Sequence, residues 1–173
     1  MKLCTLLMSR SINVREVARK TIISVVEALG PKYLPFVVKE MKMILNKGYQ
    51  VHVMIFTTHA LISAMEAHLS PKDLDACLSE IMQVCSMDLF GDTADEKEIS
   101  GITKDVPEAK ANRTFDTYTL LGRFVGSQSM GIVLKPLREI DVVIYSTYDK
   151  CDRVKRSRVD LFAVEQHGRI ETN

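Results

Sequence analysis

Val51-His52-Val53-Met54-Ile55-Phe56-Thr57-Thr58-His59-Ala60-Leu61-Ile62-Ser63-Ala64-Met65 is free of Asp, Glu, Lys and Arg. Its apolar residues fit no single stripe, so a helix over about Tyr49 to Leu69 must bury more than one side. At fifteen residues, with two histidines inside, it falls short of the roughly 20 that a membrane span needs. It reads as the inner helix of a stack. Outward from it, each neighbouring segment carries a cleaner helical pattern. Leu34, Val37, Val38, Met41, Ile44 and Leu45 form one stripe opening near Pro35, with Lys39, Glu40, Lys42 and Asn46 opposite, ended by Gly48. On the other side Ser70-Pro71 predicts a cap and first helical position, with Asp73 in the first turn. The stripe Leu74, Cys77, Leu78, Ile81, Met82, Cys85, Leu89 follows and ends at Gly91.

Upstream, Asn13 and Glu16 suggest a capping pair for a helix carrying Val14, Val17, Ala18, Ile22, Val25, Val26 and Leu29. Gly30-Pro31 stops it. Helices joined by turns this short pack as antiparallel neighbours, and no alternating strand pattern interrupts them. The expectation is an all-α chain, a HEAT/armadillo-like α-solenoid of antiparallel helix pairs. From Asp92 to Arg113 the pattern lapses into an acidic loop. Helical spacing resumes with Phe115, Tyr118, Leu121 and Phe124, then Met130 to Ile140. The organisation expected is HEAT-like helices over 1–90, an acidic loop over 91–113, continuing helical repeat over 114–140 and an atypical basic C-terminal tail over 141–173. In that last stretch Val142 to Tyr145 reads as a strand or a helical turn, and Val154 to Val164 as a basic amphipathic helix.

The 173 residues carry a formal charge of +1, too little for a strong overall pull toward nucleic acid or acidic membranes. The charge is nevertheless divided: Lys2 to Lys47 holds nine basic and three acidic side chains, Glu66 to Asp116 five and twelve. At 46% hydrophobic residues the chain is no disordered tail. The apolar run at Leu3 to Met8 is too short for a signal core. Cys77 and Cys85 on one helix lie about 12 Å apart, beyond disulfide reach, so free thiols in a reducing compartment are expected.

Chemistry-bearing patterns are few. His52, His59 and His68 are spaced about 10.5 and 13.5 Å along a helix axis, too far for one zinc at about 2.0–2.1 Å; core or interface histidines are expected, with no metal and no cofactor. The spacing of Gly122, Gly126 and Gly131 is neither G-x-G-x-x-G nor a P-loop, and no G-x-S-x-G or H-E-x-x-H occurs. No enzyme is expected. Two basic clusters stand out. Arg10, Arg15, Arg19 and Lys20 read as outward-facing positions of one helix, and Lys150, Arg153, Lys155, Arg156 and Arg158 form a run diluted by Asp149, Asp152 and Asp160. Either could grip RNA phosphates or be a plain solvated face, and the second could serve as a nuclear import signal. No interleaving of basic and aromatic residues into a stacking platform is apparent.

Several runs, in order, resemble small-subunit processome component 20, the "down-regulated in metastasis" (DRIM) family. They are Leu29-Gly30-Pro31-Lys32-Tyr33-Leu34, Lys47-Gly48-Tyr49-Gln50-Val51-His52-Val53, Asp88-Leu89-Phe90-Gly91 and Lys97-Glu98-Ile99-Ser100-Gly101-Ile102-Thr103. The resemblance covers about Val14 to Ile140. It implies a piece of a very large HEAT-repeat solenoid of the nucleolus, associated with the U3 small nucleolar ribonucleoprotein and needed for 18S rRNA maturation. The implied role is a non-catalytic scaffold whose partners are pre-ribosomal proteins and the backbone of pre-rRNA or U3 snoRNA, with no membrane and no small-molecule substrate. It transfers no catalytic residue. A cytoplasmic HEAT-type adaptor, or a truncated product without independent role, are the alternatives.

Overall fold

A computed structural model describes residues 2–91, 106–111, 113–136 and 138. The chain divides into two compact units, Met1–Val133 and Leu134–Asn173, and the elements below belong to the first. Every regular element among the described residues is helical. In chain order these are α1 (Lys2–Thr5), α2 (Ile12–Leu29), α3 (Leu34–Ile44), α4 (Gln50–Met65), α5 (Leu78–Phe90), α6 (Pro107–Lys110) and α7 (Arg113–Phe124), with single 3-10 turns between several of them. Residues 130–133, at the end of this unit, begin a further helix.

The helices form two layers. α3 lies against α1 and α5 in one; α4 lies against α2 and α7 in the other. α4 also packs on α3 and α5, so it is enclosed from both sides, as its unbroken apolar run requires. Val51, His52, Val53, Met54, Ile55, Thr57, Thr58, Leu61, Ile62 and Met65 are all buried. The hairpins α1/α2, α3/α4 and α5/α7 are successive antiparallel pairs of an α-solenoid, and all-α architecture is what the periodicity leads to. Among the described residues no helix is long and apolar enough to cross a membrane.

The Gly30 turn stops α2 as expected. Its φ of +88° lies where a side chain would be strained, and its N–H reaches the Val26 carbonyl at 2.8 Å. Three local expectations are corrected. Asn13 and Glu16 do not cap α2, because the helix already opens at Ile12 behind Ser11; Glu16 pairs with Lys20 instead, at 2.8 Å. The core stripe of α2 is Arg15, Ala18, Ile22 and Val26, so the helix is rotated from the expected face and Val17 is 65% exposed.

Ser70-Pro71 likewise does not open the next helix. Residues 71–74 are turn, Asp75–Cys77 is a 3-10 turn and α5 starts at Leu78. Tertiary bonds take the groups a helix would need. Lys72, at φ +83°, donates its N–H to the Phe124 carbonyl, while the Asp75 carboxylate accepts from the Gly126 N–H at 2.9 Å and the Ser129 hydroxyl at 2.8 Å.

Cys4, Cys77 and Cys85 are free and buried, and burial pushes the Cys77 and Cys85 thiols up to about 12. With pKa values there, the thiolate fraction at pH 8 is on the order of 10³-fold lower than in the unfolded chain. Mass-spectrometric mapping of labelled thiols is therefore expected to find both unmodified in the native protein and modified in denaturant. Fast native labelling of either would contradict the packing.

Candidate functional site

A cluster of charged side chains is buried beneath the junction of α2, α4 and α6. The Arg15 guanidinium, 0% exposed, meets the Glu108 carboxylate in a fork: Nε to Oε1 at 2.9 Å and Nη2 to Oε2 at 2.8 Å. Arg15 Nη1 also donates to the Ser9 and Arg10 carbonyls at 2.9 and 3.1 Å, closing the chain end that leads into α2. One helical turn on, Arg19 donates to Glu108 Oε1 at 2.7 Å and to Thr57 Oγ1 at 3.2 Å, and its guanidinium lies over the Phe56 ring at 4.5 Å. Burial drives the Glu108 carboxyl upward, but the hydrogen bonds from Arg15, the backbone and Arg19 outweigh it and hold it below the ordinary 4.5. Beside this cluster lies an open groove of about 420 Å³ floored by Ile12, Ile23, Phe56 and Pro107, with Arg19 and Lys20 at its edge.

A second tie joins α4, α5 and α7. Asp88 Oδ1 lies 2.9 Å from His52 Nδ1, and Thr114 donates its hydroxyl to Asp88 Oδ2. The Thr114 hydroxyl is engaged by Asp88 rather than by the imidazole, and all three residues are buried. Together with Asp75, these clusters bind residues 106–129 back onto the earlier helices. The His52 tie and the Arg15 lock are structural joints.

Of the sequence-derived site residues, the structure corrects Arg15: it faces inward, because its position falls on the buried stripe of α2 and its charge is met by Glu108. Arg19 is also largely withdrawn, at 12% side-chain exposure. Lys20 is exposed and paired with Glu16; Lys155, Arg156 and Arg158 lie outside the described residues. His52 is core, His59 half-buried and His68 exposed. Burial, then the charge of Arg113, lowers the His59 pKa. Among the described residues no group of His, Cys, Asp and Glu is placed to hold a metal ion. Glu108 and Asp88, the two carboxylates on which the joints turn, were not singled out by sequence. An arginine at core spacing was the available signal.

Stacked helix pairs whose buried charged residues join successive segments define an α-solenoid. A family model, "U3 small nucleolar RNA-associated protein 20 domain", matches residues 1–154, running past Ile140 where the resemblance in the sequence stops. A Schizosaccharomyces pombe protein, "U3 small nucleolar RNA-associated protein 20", is 31% identical over 137 residues, covering 79% of this chain and 6% of that protein. The Saccharomyces cerevisiae protein of the same name is 30% identical over 141 residues, covering 82% and 6%. The chain belongs to the U3 small nucleolar RNA-associated protein 20 family, and spans about 6% of the length of these relatives.

Removing one partner of a buried charge pair costs roughly 3–5 kcal/mol, against about 0–1 for an exposed one. Glu108→Gln is expected to lower urea-unfolding stability in the first range. Glu66→Gln, which loses only the exposed partner of Arg123, should fall in the second. The Glu108 carboxyl lies lower in the folded than in the unfolded chain, so its contribution is full above the ordinary value and is lost as pH falls through the depressed one. Stability of the wild type should therefore drop more steeply below pH 4.5 than that of Glu108→Gln. Parallel acid profiles would contradict the lock.

Proposed function

We propose that the chain is a non-catalytic section of an α-solenoid scaffold that acts in ribosome biogenesis. It works within the nucleolar small-subunit processome associated with the U3 small nucleolar ribonucleoprotein, in support of 18S rRNA processing. The observation that carries this reading is the family match over residues 1–154, with relatives named for association with U3 small nucleolar RNA. The packing supports it. Successive helix pairs hide one continuous seam, and the buried charges hold segments of the chain together. Such a stack offers long exposed ridges to neighbours. Its partners are then pre-ribosomal proteins and, at basic ridges, the backbone of pre-rRNA or U3 snoRNA. Lys20, Lys155, Arg156 and Arg158 belong to that RNA-contact proposal; Arg15 and Arg19 do not, being engaged by Glu108.

Affinity purification of the tagged chain from nuclear extract, with and without RNase, tests the reading. Enrichment of U3 snoRNA and small-subunit precursors over a tag-only control is expected, with protein neighbours retained after RNase. Recovery without U3 snoRNA, or with cytoplasmic partners alone, would reject it.

A further inference from the structure

We draw no further inference here: the strongest candidate, the exposed and uncharged surface patch of Val14, Val17, Thr21 and Ala28 along α2, carries nothing because nothing in the structure shows what covers it.

Discussion

One carboxylate facing two guanidiniums holds the first repeat to a segment more than ninety residues away in the chain. Glu108 is 4% exposed, and an ionised carboxylate at that depth is tolerated only when charge and hydrogen bonds answer it. Arg15 supplies a bidentate fork, and its remaining nitrogen closes the carbonyls leading into α2. Arg19 supplies a third bond and covers Phe56. Fork geometry matters here: a lysine in place of Arg15 would bring a point charge but could not bond both oxygens and two carbonyls together.

That joint sets what the neighbouring elements can do. α6 is four residues long and has almost no intrinsic stability as a helix. It holds position because Glu108 and Ala109 are buried against α4. From there the chain enters α7, whose Thr114 reaches the Asp88 carboxylate and whose C-terminal end is met by the Lys72 and Asp75 turn. The second half of the third helix pair is thereby fixed at three places by polar groups from α2, α5 and the α4–α5 turn. Apolar burial supplies attraction along the seam, while these directional contacts set where the returning chain lies on it.

α3, α4 and α5 were legible in the sequence because each carries its own periodicity, and α4's lack of a stripe correctly implied enclosure. Gly30 was legible because few residues adopt its conformation. Arg15 was misread: basic neighbours suggested a surface cluster, yet it sits three residues before Ala18 and seven before Ile22 on the core stripe. Nothing local could name its partner, because Glu108 lies among acidic residues of an apparent loop and the pairing is purely tertiary. The Ser70 cap failed for the same reason, since Lys72 bonds to Phe124 and Asp75 to Gly126 and Ser129.

The most direct test of this account is a double-mutant cycle on Arg15→Gln and Glu108→Gln, read by urea unfolding. A buried, shared joint predicts that the double variant is little less stable than either single one, a coupling of about 2 kcal/mol or more. Strictly additive losses would show that the two side chains act independently, and the idea that this pair anchors the returning chain would be wrong.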